Sequence, residues 1–222
     1  MCYYKVIVYV FLNLFFLVHG NLFTGIATRY YDCCKPSCAW PGKVLVPGRS
    51  CYRNGTVVKD PLAVSGCNGG VSFACNTNTP FSVNSNMSYG FAAASIVSQT
   101  EKDWCCACYQ LTFTSGPVVG KKMIVQITNT GYDLQNNHFD LEIPGGGQGI
   151  FKGCSSQYTN YYGGADYGGI SQRSECSRLP KSQRQGCFWR FDWFKNADNP
   201  NVIAQKIMCP KKLVALSGCR RD

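Results

Sequence analysis

Two aspartates stand in surroundings that could support proton chemistry. Asp32 lies in TRYYDCCKPSCAW, residues 28–40, between a tyrosine pair and two adjacent cysteines, with Arg29 and Lys35 close by in sequence. Asp140 lies in NNHFDLEIPGGG, residues 136–147, where Phe139, Leu141 and Ile143 alternate with His138, Asp140 and Glu142. The two-residue period of a strand sends the first set to a core and projects the second set together from the other face. A like charge from Glu142, or desolvation by aromatic neighbours, raises the pKa of Asp140. That is what a general acid requires. A blander alternative makes Asp32 a turn or cap carboxylate paired with Arg29 or Lys35, and the His138, Asp140, Glu142 set an exposed polar strand face. The chain has only twelve acids, however, and these two sit amid tyrosine, tryptophan and histidine. Aromatics, polar groups and a carboxylate pair are the ingredients of a carbohydrate site.

The elements that must hold these acids are tied by cysteine. A leader is expected over residues 1–20: Lys5 makes a basic start, residues 6–18 are an almost unbroken apolar run, and Val18 and Gly20 are small enough for signal-peptidase cleavage. The run falls short of the roughly 18 to 20 apolar residues of a spanning helix, so secretion to the extracellular space is expected, with no membrane attachment after cleavage. Fifteen cysteines minus Cys2 of the leader leaves fourteen. An even number in an exported chain implies disulfides. A zinc site at Cys105, Cys106 and Cys108 would need further ligands, and the two histidines are His138 and His19 of the leader, so no metal is expected. Adjacent cysteines do not easily bond to each other. Cys33 and Cys34 therefore reach separate partners and pin the segment around Asp32 on two sides.

Without the leader, 202 residues remain with 21 basic and 12 acidic side chains, a net charge of +9. The bases are scattered as pairs, Lys121 with Lys122, Lys211 with Lys212, Arg220 with Arg221, which argues against nucleic acid and for attraction to an acidic surface. No repeat or linker interrupts residues 21–222, so one domain is expected. Ala107, Tyr109, Leu111 and Phe113 alternate with polar neighbours, as do Met123, Val125 and Ile127 with theirs, and both stretches predict strands. Trp189, Phe191 and Trp193 read as one face of another strand, with the tryptophans in the core. YGFAAASIV, residues 89–97, reads as the best short helix. PGGGQG lacks the Lys and Ser/Thr of a phosphate loop and reads as a turn. The expected class is mostly β, a closed barrel with long loops.

These blocks resemble glycoside hydrolase family 45, the small endo-β-1,4-glucanases. TRYYDCCKPSC is similar to that family's signature segment; CCACYQLTFTSGPVVGKKM, NHFDLEIPGGGQGIFKGC and CFWRFDWFKNADNP are similar to further blocks, and the likeness runs from about Ala27 to Arg221. The resemblance implies a six-stranded double-psi β-barrel with an open groove, long disulfide-linked loops and a few short helices. It implies seven bridges: Cys33 with Cys154, Cys34 with Cys67, Cys38 with Cys105, Cys51 with Cys75, Cys106 with Cys219, Cys108 with Cys209, and Cys176 with Cys187. Asp32 becomes the catalytic base and Asp140 the catalytic acid. Tyr30 resembles a tyrosine beside the reacting sugar, Asp133 a third acid on a loop over the cleft, and His138 a histidine near the acid. Lys35 and Trp40 match groove positions. Glu142 stands where the resemblance leads one to expect asparagine.

The implied activity is secreted hydrolysis of internal β-1,4-glucosidic bonds with inversion, without metal or cofactor, by a monomer whose partner is the polysaccharide itself. No carbohydrate-binding module is expected after the catalytic domain, so soluble or amorphous glucan should be preferred. A xyloglucanase on the same scaffold is the nearest rival. A non-hydrolytic, expansin-like wall-loosening protein would lack the base, and a disulfide-rich binding module would need neither acid. Asn54 and Asn86 open NGT and NMS, candidate glycosylation sites.

Overall fold

Strands dominate where β-branched and aromatic residues alternate with polar ones. A computed structural model describes residues 22–221; the expected leader lies outside the described residues. The strands are β1 (Leu22–Tyr30), β2 (Phe81–Ser82), β3 (Met87–Ser95), β4 (Cys108–Phe113), β5 (Lys122–Thr130), β6 (His138–Glu142) and β7 (Asn201–Ile207), with short helices α1 (Glu101–Trp104), α2 (Gly153–Gln157), α3 (Arg184–Asp192) and α4 (Lys211–Ser217). They hydrogen-bond in the order β2-β3-β5-β4-β7-β1-β6, and β6 pairs back onto β3. That last pairing closes six strands into a barrel and leaves β2 as an appendage. Two of the seams, β1 with β6 and β3 with β5, are parallel, and the rest are antiparallel.

Closure abolishes strand edges and concentrates apolar side chains inside. Tyr109, Leu111, Val125, Ile127, Phe139 and Leu141 are fully buried there, with Trp189, Trp193 and Phe194 of the α3 region in the same cluster. The alternation read in the sequence for β4, β5 and β6 is thus the in–out pattern of the barrel wall.

Two local readings are corrected. Residues 89–97 do not form a helix; most of that stretch is β3. Alanine favours helix when isolated, but here Ala92 and Ala94 are fully buried inside the barrel, where β3 hydrogen-bonds to β5 on one side and β6 on the other. Small side chains are what a narrow barrel interior accommodates. The second correction is Trp189, Phe191 and Trp193, which belong to α3 and its cap rather than a strand. Positions four apart share a helix face as well as a strand face, and the two indoles stack with centroids 5.3 Å apart. Their placement in the core stands.

All seven bridges form with the partners that the resemblance implied. Cys105, Cys106 and Cys108 are spent on three of them. Cys33 and Cys106, one from each adjacent pair, take left-handed backbone with φ of 62° and 61°, a conformation uncommon outside glycine. It lets neighbouring thiols leave the chain in different directions.

Candidate active site

Parallel pairing of β1 with β6 assembles the site. The register sets Ile26 against His138, Thr28 against Asp140 and Tyr30 against Glu142. Asp32 follows two residues past the end of β1. The segment carrying it is held by Cys33–Cys154 and Cys34–Cys67, by the Tyr31 amide donating to Gly147 O at 2.7 Å, and by the Cys34 amide donating to Asp32 Oδ1 at 2.9 Å. PGGGQG is therefore a turn, and it clasps the end of β1. Gly153, beside Cys154, is obligatory in this packing: a Cβ there would lie 2.6 Å from the Asp32 carbonyl oxygen.

Asp32 and Asp140 line one cavity of about 430 Å³, together with Tyr30, Asp133 and His138. Burial pushes both carboxyls up, Asp32 to about 6 and Asp140 to about 7. The Cys34 amide holds Asp32 back, whereas the charges of Asp133 and Asp32 add to the rise at Asp140. Thr28 Oγ1 donates to Asp140 Oδ1 at 2.5 Å and lies 2.7 Å from His138 Nε2. A hydroxyl has one proton. With Thr28 donating to Asp140, His138 must carry its proton on Nε2 and donate to Thr28. Burial also lowers the histidine's pKa, which favours the neutral ring.

Glu142 lies deeper. Its Oε1 accepts from the Tyr30 hydroxyl at 3.1 Å and from Thr128 Oγ1 at 3.0 Å, and burial drives its carboxyl up to about 8. Asp133 is exposed on the loop between β5 and β6. Lys35 and Trp40 stand apart from the cavity lining. The Lys35 ammonium donates to Pro61 O at 2.7 Å and Ala63 O at 3.0 Å and sits 3.3 Å from the Trp40 ring centroid.

Among the lining residues that sequence reasoning did not assign to the site are Thr28, Arg29 and Ala93. Thr28 is the link between His138 and the acid. Arg29 donates to Ala197 O and pairs with Asp198, both at 3.1 Å, and so ties β1 to the loop before β7. Ala93 is the cross-strand partner of Asp140, and its small side chain leaves space beside the acid. The even spacing of Thr28, Tyr30 and Asp32 was a usable signal for the first. Arg29 reads from the sequence only as a charge partner of Asp32, and nothing local marks Ala93.

The pattern of glycosyl hydrolase family 45 matches residues 24–220. The chain belongs to that family. As a family 45 glycoside hydrolase it is 56% identical over 203 residues to an endoglucanase of Cryptopygus antarcticus, with 89% of each chain covered. It is 43% identical over 202 residues to an endoglucanase of Phaedon cochleariae, covering 88% of this chain and 83% of the other. A Fusarium oxysporum relative is 56% identical over 202 residues, and the family 45 chain spans only 54% of its length. The crystal structure of the Cryptopygus antarcticus cellulase superposes with a TM-score of 0.85 at 55% identity, covering 92% of this chain and 99% of that one.

Proposed function

We propose that this chain is a secreted endo-β-1,4-glucanase that inverts the anomeric carbon, with Asp140 as general acid and Asp32 as general base. The observation that carries this reading is that two carboxyls line one cavity, Asp140 held by Thr28 and His138 and Asp32 by the Cys34 amide. Burial favours the protonated form of both, the charges of Asp133 and Asp32 add to that at Asp140, and the Cys34 amide favours the ionised form of Asp32. One can give and the other take. Asp140 protonates the glycosidic oxygen as the bond lengthens, and Asp32 removes a proton from water attacking C1 on the opposite face.

The surroundings support each role. Burial favours the protonated form of Asp140, and Thr28, itself held by His138, fixes its Oδ1. The two bridges and the Cys34 amide fix Asp32, so its position survives the departure of product. Exposed Tyr132, Phe151 and Tyr167 stand among the cavity residues and offer ring faces to sugars. Seven disulfides fit an oxidising, extracellular destination. A wall-loosening protein without hydrolysis has no use for an acid and a base set in one cavity.

The test is an NMR time course on a soluble β-1,4-glucan oligosaccharide. The α anomer should appear first and mutarotate later. Early β anomer would reject the assignment, as would a failure to release reducing ends from carboxymethyl cellulose. Parallel assays on xyloglucan and mannan decide between a glucanase and its branched-glucan rival.

A further inference from the structure

The acid–base pair leaves one buried carboxyl unused. Glu142 is 4% exposed. Two donors, Tyr30 and Thr128, converge on Oε1, whereas Oε2 is buried and has no hydrogen-bond partner among the described residues. Both acceptor directions of Oε1 are thus taken, so in the protonated acid the proton sits on Oε2. Burial raises Glu142 to about 8, with the Thr128 and Tyr30 bonds opposing and Asp32 and Asp140 adding. Burial thus favours the neutral form of this acid beside the two working carboxyls.

Glu142 also lines a second cavity of about 10 Å³, which it shares with Tyr30, Tyr31, Asp32 and Asn129. That is room for one water. Its walls mix apolar Cys33, Cys34, Pro36 and Ala74 with a few polar groups, and the titratable or polar groups that face Glu142 are few: Tyr30 from β1, Tyr31 and Asp32 from the segment that follows, Asp140 from β6, and uncharged Thr128 and Asn129 from β5. Of these, Asp32 is the one ionised near neutrality that shares the small cavity.

We propose that Glu142 is a positioning residue for the base: its Oε2–H donates to a single water in the small cavity, and that water donates to the Asp32 carboxylate. The bridge stabilises the ionised base from behind while leaving its front to the attacking water. This inference rests on Asp32 being the base.

The experiment compares pH profiles of kcat/KM on a soluble β-1,4-glucan for the parent, Glu142→Gln and Glu142→Leu. Glutamine keeps a neutral acceptor for Tyr30 and Thr128 and a donor toward the cavity; leucine keeps neither. Glu142→Gln should hold the acid limb where the parent has it. Glu142→Leu should move that limb up by about one pH unit, a loss of about tenfold below it, the scale of one hydrogen bond to a charged group. A merely structural role would lower kcat/KM at every pH and leave the limb in place. Unmoved limbs in both variants, or equal shifts in both, overturn the inference. Should Glu142→Leu lack a cooperative melt, a crystal structure of the parent decides: one ordered water in hydrogen-bond reach of both carboxyls supports the bridge, and an empty cavity refutes it. An active Asp32→Asn would instead remove the base itself, so the two failures are distinguishable.

Discussion

Thr28 and Asp140 sit opposite each other in the parallel β1–β6 register, and the Thr28 hydroxyl donates to Asp140 Oδ1 at 2.5 Å. That bond holds the acid's pKa below what burial alone would give. Thr28→Val keeps the shape and removes the donor. The alkaline limb of activity should then move up and turnover should fall about tenfold, the scale of one hydrogen bond to a charged group. An unmoved limb would mean that the bond is absent from the free enzyme.

Asp32→Asn and Asp140→Asn should each lower turnover on β-1,4-glucan by at least about a hundredfold, the usual reach of general acid–base catalysis. Both replacements preserve size, so circular dichroism and melting should stay close to the parent's. A variant that keeps more than a tenth of its rate, on the same hundredfold scale, would be removed from the mechanism.

The raised carboxyls also predict how stability depends on pH. Asp140 has a folded pKa of about 7 against an ordinary value of 3.8, so between those values the native state binds more protons than the unfolded one. Its contribution is fully present at low pH and is lost as pH rises through about 7. Asp140→Asn should therefore be inactive yet neutral to slightly stabilising at pH 7.5, with a melting temperature that changes less between acid and neutral pH than the parent's. Paired denaturant melts at acid and neutral pH measure this. Loss of stability confined to neutral pH would make Asp140 a structural carboxylate with a depressed pKa.

Reduction should inactivate the protein. Removal of a native bridge costs about 2–5 kcal/mol in small secreted domains, and seven bridges tie the loops here to the barrel and to one another. Melting with and without reductant, with thiols counted, checks it. An unchanged melting temperature at full reduction would show that the barrel core suffices.

The parts legible in the sequence were those whose signal is local. Alternation in residues 107–113, 123–128 and 138–143 reports a wall with one face in and one face out, and three strands stand there. The β3 segment hides because its alanines carry a helix preference that only the closed barrel overrides. The α3 aromatics hide because residues at i and i+4 satisfy both periods. Asp32 and Asp140 stood out by their company, and the resemblance named their roles. Ala93 did not stand out, since its importance comes from being opposite residue 140, and register between segments so distant in the chain leaves no local mark; Thr28 carried only its even spacing with Tyr30 and Asp32, which does not say that it meets residue 140.

In β6 neighbouring positions face opposite ways, Phe139 and Leu141 into the barrel and His138 and Asp140 into the cleft. A one-residue slip of a strand turns every side chain to the other face. A molecule that closed its barrel in the wrong register would thus lose its acid and expose two large apolar groups in the same event. Such a misregistered conformer would be inactive and adhesive at once, so specific activity after purification would report on strand assembly.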